Sequence, residues 1–410
     1  MQSSRGIAPS YLAIFVALLF SCALPSAVTA QSESGASSTF LDPSIASSGM
    51  GKTAVAVFWS DDPNDWSNPS LLGYQRGLRY SYGRTQLVPD LADDVYFTSR
   101  RFFLGFSGIG ISITGKPVDD LGKMRLDYGV SQATNENGDV IGEFRSFEEV
   151  RQFGIGISLF RTLESLLEVN GGESRDLSRY VDLSIGHAWK DIVVDLAPAS
   201  VTLDGLAGYA ETTEKDRGAL LRITPLGAVR RDATARGSRA RLDLAAGFSQ
   251  RNYDDSRLSY IDEDQADPVT EERLVGASAR LTIPLRRGSS PIWSFLNPEI
   301  NLAGAWDQAR YYEGDIRVGG ETITRTGQEI TFLGLVSMRH GFIDDRSGQI
   351  LGDTWGVGVA LQYRGMLGAR YDWARIPQSI FLGDVTRNGF SVFVDPYRMW
   401  QEAKEDTEYH

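Results

Sequence analysis

The side chains best suited to moving a proton are few. The chain has three histidines, His187, His340 and His410. A hydrolytic centre needs a histidine within reach of a serine and a third group that orients the ring. His187 alternates with Val181, Leu183, Ile185 and Trp189, so it shares an apolar face and reads as a ring at the edge of that face. His340, in Arg339-His340-Gly341 near the end of an alternating run, reads as part of an aromatic girdle or a turn. His410 is the last residue. No catalytic residue, enzyme activity or cofactor is expected. Among carboxylates, Asp254-Asp255 and Asp262-Glu263-Asp264 offer hard oxygen ligands, but the EF-hand spacing with its central glycine and final glutamate is missing. A solvated loop is the simpler reading, and no metal site is expected. Asp61, Asp62 and Asp65 stand among Asn and Pro residues, where a carboxylate either meets a cation or polar substrate group or closes turns onto its own backbone. Turn closure is the favoured reading.

The elements that position these groups follow a leader. Arg5 precedes the apolar run Tyr11 to Phe20, and small residues lead to Val28-Thr29-Ala30. That order is the form of a secretory signal, too short to span a bilayer as a helix, and cleavage is expected after Ala30. Cys22, the single cysteine, lies within this segment. Leu19-Phe20-Ser21-Cys22 resembles a lipoprotein acylation site apart from its bulky Phe20, and the small-residue site is preferred. With Cys22 removed, no disulfide is available, which excludes a small stapled fold. A net charge of −12 and the lack of basic runs interleaved with aromatics argue against a nucleic-acid partner. After residue 30 no apolar run is long enough for a membrane helix, so any span must be built from strands.

Strands are legible as alternation between large apolar residues and small or polar ones. Trp355, Val357, Val359, Leu361 and Tyr363 oppose Gly356, Gly358, Ala360 and Gln362. An aromatic at each end of an apolar face is what a tilted membrane strand needs. Ile109, Ile111 and Ile113 repeat the pattern against Gly110, Ser112 and Thr114, as do Val275 to Ile283 against Gly276 to Thr282. Glycine and serine on the second face fit a crowded interior better than the solvated face of a sandwich, which is the soluble alternative. The expected fold is an all-β transmembrane antiparallel barrel of about fourteen strands with an N-terminal hatch in the lumen. Among those strands are separate runs at 108–116 and 123–130, a short one at 218–227 and a single one at 329–343. Gly314 to Gly327 is taken as a connection, and long loops at one end are expected to face tight turns at the other. Residues 1–30 form the leader, 31–76 a linker and hatch, 77–400 the barrel and 401–410 an acidic, periplasmic tail. Trp59 and Trp66 in the hatch demand burial, which a plug inside the barrel provides. Trp189, Trp355 and Tyr363 are expected in the interfacial girdle. Arg100 and Arg101 face either the lumen or lipopolysaccharide phosphates, and both readings stand.

Gly49-Met50-Gly51, then Ala54 and Ala56, then Trp66-Ser67-Asn68-Pro69-Ser70-Leu71-Leu72 and Leu78-Arg79-Tyr80-Ser81-Tyr82 resemble the start of the FadL-like (OmpP-type) superfamily, particularly its PorV/PorQ group. Ser337 to Phe342, Gly356 to Val359 and Leu367 to Ala374 follow the order of that group's last strands. The resemblance implies a bacterial outer-membrane barrel with its N-terminal segment folded into the lumen. It implies passage or binding of hydrophobic small molecules, or, in the PorV-type members, type IX secretion and the holding of secreted cargo proteins. On this reading Asn68, Pro69, Ser70, Trp59 and Trp66 form the gating hatch, and the surrounding partners are outer-membrane lipid and lipopolysaccharide. Ser70 stands where the family usually has alanine and Leu71 where it usually has glycine, which puts transfer of ligand contacts in doubt. An open general porin is a third possibility, marked by large conductance.

Overall fold

The computed structural model describes residues 35–60, 62–89, 91–114, 123–135, 137–169, 177–199, 208–226, 240–260, 266–285, 291–313, 316–346, 348, 350–378 and 382–400. The leader with Cys22, the tail with His410, Asp61 and the Asp262-Glu263-Asp264 run lie outside them.

The wall is one closed antiparallel sheet. In chain order it contains β1 (Gly77–Gln86), β2 (Tyr96–Phe106), β3 (Ile109–Thr114), β4 (Met124–Thr134), β5 (Val140–Ser158), β6 (Val181–Asp195), β7 (Tyr209–Leu226) and β8 (Arg241–Arg251). A two-stranded hairpin, β9 (Arg257–Leu258) and β10 (Asp267–Pro268), interrupts the series. The wall resumes with β11 (Glu271–Pro284), β12 (Glu299–Glu313), β13 (Ile316–Phe332), β14 (Val336–Asp345), β15 (Ile350–Tyr363), β16 (Leu367–Ile376) and β17 (Val385–Val394). β1 pairs with both β17 and β2, so the described strands leave no open edge. Closure satisfies the backbone donors and acceptors that an edge strand would leave unpaired.

The sheet has fifteen strands, but β3 and β4 both bridge β2 to β5 and share one position in the wall, leaving fourteen. Here two sequence expectations need correction. The runs at 108–116 and 123–130 are successive pieces of one barrel strand. The run at 329–343 is two strands, β13 and β14, joined by a turn in which Leu333 and Gly334 have φ of 55° and 64°. Most of Gly314 to Gly327 belongs to β13. Its polar residues concealed it: Thr326 and Gln328 point outward together with Ile330 and Phe332, so apolar alternation covers only the last third of the strand. β7 likewise begins at Tyr209 instead of 218, because its first half carries charge on both faces. The expected sorting of long and tight connections also fails. The mouth where β1 begins and β17 ends has the tight turns Ser107-Gly108 and Arg364-Gly365, but also an eleven-residue helix, Leu159–Val169, between β5 and β6.

The outward face carries an apolar belt. On β15, Trp355 is 55%, Val357 40%, Val359 48% and Leu361 56% exposed, while Gly356, Gly358 and Ala360 are buried. Trp189 and Tyr363 also lie on that face, with Trp189 stacked near Phe153 and Tyr363 5.2 Å from Phe295. Beyond the belt, towards the mouth opposite the chain ends of the barrel, β5, β7, β12 and β13 continue as strands with polar outward residues such as Arg145, Glu211, Arg310 and Thr326.

Candidate functional site

The inward faces meet residues 35–76, which run through the lumen from the opposite mouth, where Gly35 N donates to Pro268 O, to Gly77 at the start of β1. Each stretch of this hatch is fixed by the part of the wall it passes. Glu148 accepts from Ser38 N at 2.6 Å. Arg387 donates to Ser48 Oγ at 2.5 Å and Asp42 O at 2.6 Å. Thr354 Oγ1 accepts from Gly51 N at 2.8 Å. Asp307 accepts from two successive amides, Ala54 N at 2.6 Å and Val55 N at 3.0 Å. Trp59 Nε1 donates to Glu329 Oε1 at 3.1 Å. These contacts come from strands all round the barrel, which fixes one docked position by charged hydrogen bonds, the stronger kind.

Asp62 and Arg101 form the main latch on the β2 side. The Arg101 guanidinium donates to Asp62 Oδ1 at 2.5 Å and to Pro63 O at 2.8 Å, with Asp65 3.8 Å away. Asp62 also accepts from Ser44 Oγ at 2.8 Å and Ile45 N at 3.0 Å. Arg101 is lumenal and Arg100 points outward. The favoured reading of Asp62 as a turn-closing carboxylate is corrected: among the described residues its carboxylate bonds to Ser44 and Ile45 across the hatch and to Arg101 of the wall, not to a neighbour in sequence. Asp65 accepts from Gln152 Nε2 at 2.5 Å, and burial raises its pKa. Lys52 is a counterpoint, its pKa lowered to about 8 by burial and by Arg325 and Arg387.

Trp66 is 2% exposed and lies between two cations. Lys190 Nζ stands 3.6 Å from the ring centroid and the Arg251 guanidinium 5.0 Å from it. Lys190 is itself neutralised by Glu214 at 2.7 Å and Asp216 at 2.5 Å, and Arg251 by Glu272 at 2.5 Å. The sequence flagged Trp66 but not its cations. Lys190, Glu214 and Asp216 sit at alternate positions of β6 and β7 with opposite charge, and Lys190 and Glu214 pair across the strands, a signal readable once register is known.

Asn68, Pro69 and Ser70 open a 3-10 turn, Pro69–Tyr74. Asn68 caps it, accepting from Ser70 N at 3.0 Å and Ser70 Oγ at 2.7 Å, while its amide donates to Val55 O at 2.7 Å. Pro69 at the first position has no N–H to leave unpaired. The hydroxyl of Ser70, where the resembling family has alanine, is therefore used within the cap. The turn lies on a row of inward glycines paired across neighbouring strands, Gly105, Gly110, Gly156, Gly186 and Gly218. A methyl group on Gly156 would stand 2.6 Å from Pro69 O, and one on Gly186 would overlap the Pro69–Ser70 peptide. Glycine there lets backbone lie against backbone.

Above Trp66, at the opposite mouth, the inward face turns apolar. Phe97, Met124, Leu126, Val150, Ile192, Val194 and Ala210 pack with Ala36 and Trp66, and Leu258 of β9 and Val269, just after β10, belong to the same cluster. Residues 254–260 and 266–267 are thus more than a solvated loop, although Asp254 does pair with Lys215 at 3.1 Å. Two cavities flank Asp62. Each has room for about one water; one is lined by Ala46, Met50, Ala54, Val57, Trp59 and Glu329, and the other by Ile45, Ser81, Arg101, Asp372 and Ser391. The histidines stand away from all of this: His187 lies against Trp189 at 4.2 Å, and His340 against Trp355 at 4.4 Å with Asp353 3.0 Å from its ring.

No family model matches the chain, and no curated protein matches it. Among solved structures it is similar to the Ralstonia pickettii toluene transporter TbuX, at 10% identity and a TM-score of 0.35 over 86% of this chain and 96% of that one. It is also similar to the Pseudomonas putida toluene transporter TodX, at 12% identity and a TM-score of 0.35 over 84% and 95%. A Pseudomonas aeruginosa FadL homologue shares 9% identity at a TM-score of 0.33 over 90% and 100%.

Proposed function

We propose that the protein is a bacterial outer-membrane barrel of FadL-like kind that passes hydrophobic or amphipathic small molecules, with residues 35–76 as the gate. The apolar outward belt supports the membrane placement, since exposed apolar surface of that extent on a closed barrel matches lipid. Trp189, Trp355 and Tyr363 then serve as interfacial rings.

The observation that carries the transport reading is the layered lumen. An apolar layer at the opposite mouth leads down to Trp66, and beneath it a charged, hatch-filled layer closes the passage. Apolar lining with a few placed polar groups is what a binding site for a hydrophobic molecule needs, and a filled lumen below it needs a moving part. Trp66, buried between its two cations, joins the layers. Deleting residues 36–66 tests the reading. The expected result is loss of binding of an apolar naphthylamine fluorophore by purified protein, together with large conductance in planar bilayers. Unchanged fluorophore binding and unchanged uptake after the deletion would overturn it.

A further inference from the structure

The helix Leu159–Val169 has its polar and apolar sides reversed relative to a helix packed on a soluble core. Its polar side faces the barrel. The Arg161 guanidinium lies 4.9 Å from the centroid of the Tyr74 ring and 4.0 Å from the Asp182 carboxylate. Thr162 donates to Ser158 O at 2.8 Å. Glu164 accepts from Ser178 N at 2.7 Å and Ser178 Oγ at 2.5 Å. The apolar side faces away: Leu159 is 38%, Leu163 48%, Leu166 57% and Leu167 40% exposed. Those positions form a single stripe along an α-helix. In water such a stripe would stand unburied next to a polar interface that has already used its hydrogen bonds.

The surroundings say what covers it. The helix starts directly after β5, whose last outward residues, Ile155 and Ile157, belong to the apolar belt, so the leucine stripe continues that belt at its edge. Leu177 and Tyr180, on the return to β6, are exposed beside it. At the same end of the barrel Phe106 and Tyr397 stand 5.6 Å apart on the outside, with Trp400 beyond them. Aromatic rings of this kind mark a membrane–water boundary.

We propose that the helix Leu159–Val169 lies in the headgroup–acyl boundary of the bilayer leaflet at the mouth where β1 begins, its leucines embedded in phospholipid and its Arg161 face holding Tyr74, the last ring of the hatch. The proposal rests on the membrane reading above. It makes the helix an interfacial anchor that joins the lipid to the foot of the gate.

Because Cys22 is the only cysteine, single labels can be placed on a Cys22→Ser background. Nitroxide labels at Leu163→Cys, Leu167→Cys and, as a belt reference, Val357→Cys are compared in phospholipid vesicles for collision with oxygen and with a water-soluble nickel chelate. At Leu163 and Leu167 oxygen is expected to exceed the nickel chelate in accessibility by about threefold or more, as at Val357. A label at Leu163 that favours the nickel chelate while Val357 stays lipid-like overturns the anchor and leaves the membrane reading standing. A label at Leu163 shielded from both reagents also overturns it, in favour of a second copy or a protein partner. A water-like Val357 overturns the membrane reading, and the anchor with it.

Discussion

Replacing Asp62 by asparagine should loosen the hatch while leaving the barrel intact. Asp62 is 5% exposed, and its carboxylate accepts from Arg101, Ser44 Oγ and Ile45 N. Asparagine keeps the shape and one acceptor oxygen, so the contacts to Ser44 and Ile45 survive in part. The ion pair does not, and Arg101, 3% exposed, stays buried with Pro63 O, a more distant Asp65 and the Phe103 ring, whose centroid is 5.3 Å from the guanidinium. Removing one partner of a buried pair costs about 3–5 kcal/mol. The remaining partners of Arg101 bring the expected loss to the lower end, about 3 kcal/mol. At 1.4 kcal/mol per decade that raises the population of undocked hatch by about 100-fold. Native-state hydrogen exchange reads this directly, because amide protection follows the free energy of local opening. The amides of Ile45, Gly49 and Met50, bonded to Asp62, Ile45 and Ser47, should lose about two decades of protection, and β15 amides none. A double-mutant cycle with Arg101→Met should recover part of the loss, since it removes the stranded cation. Unchanged protection at Ile45, or equal loss in β15, would refute the assignment of Asp62 and Arg101 as a latch between hatch and wall.

Gly186→Val should expel the 68–75 segment from its bed, since even a methyl group there overlaps the Pro69–Ser70 peptide. The expected outcome is a barrel of normal heat-modifiable gel mobility whose hatch is cut by added protease; a protected hatch would contradict it. The docking of the hatch should also strengthen from about pH 8 to about pH 10.5. Lys52, with its pKa held at about 8, loses its proton in the docked state well before the undocked chain does at its ordinary value, so the cost of burying that group falls steadily as pH rises above 8 and is gone by 10.5. Hatch amide protection, corrected for intrinsic exchange, should rise between pH 7 and 9.5 in the parent and stay level in Lys52→Met.

How much of this was legible depends on where a residue stands relative to the apolar belt. Inside the belt the alternation is strong because one face meets an apolar medium and the other a crowded lumen, and β15, β11 and β3 were found with the correct facing. Outside it, on β13 and the first half of β7, both faces are polar and period-two patterning carries no contrast. The count of about fourteen agreed because splitting the β3–β4 strand offset the loss of one of β13 and β14. The hatch announced itself by composition: Trp59 and Trp66 among Asp, Asn and Pro. Of its partners Arg101 stood out, with its facing undecided, whereas Lys190, Asp307 and Arg387 are single charges on three different strands, and the closed sheet is what aims them at one chain segment. The leucine stripe on Leu159–Val169 is hidden for a simpler reason, since Leu159 continues the alternation of Ile155 and Ile157 and so reads as one more strand residue.

The distribution of charge in the lumen bears on how a gate of this kind moves. Buried ion pairs add little net stability compared with apolar packing, yet breaking one is costly, so they define a position more than they strengthen it. In the upper lumen the hatch is pinned by such pairs, with Asp62 held by Arg101 and Trp66 caged by Lys190 and Arg251. Lower down, residues 68–75 lay their backbone on a glycine row and pack Leu71 and Tyr74 against Leu220 and Ala245 of the wall, with the Arg161 and Arg222 guanidinia beside the Tyr74 ring. Neutral hydrogen bonds such as Ser184 Oγ to Ser70 O at 2.6 Å and Asn68 Nδ2 to Ala219 O at 3.3 Å cross the row. Each neutral bond contributes about 1 kcal/mol net. The upper half is therefore fixed by charge, the lower half by packing and neutral hydrogen bonds. On the proposed reading, passage past the charged layer needs its ion pairs to part, and the cost of stranding a buried charge draws the hatch back to one closed position.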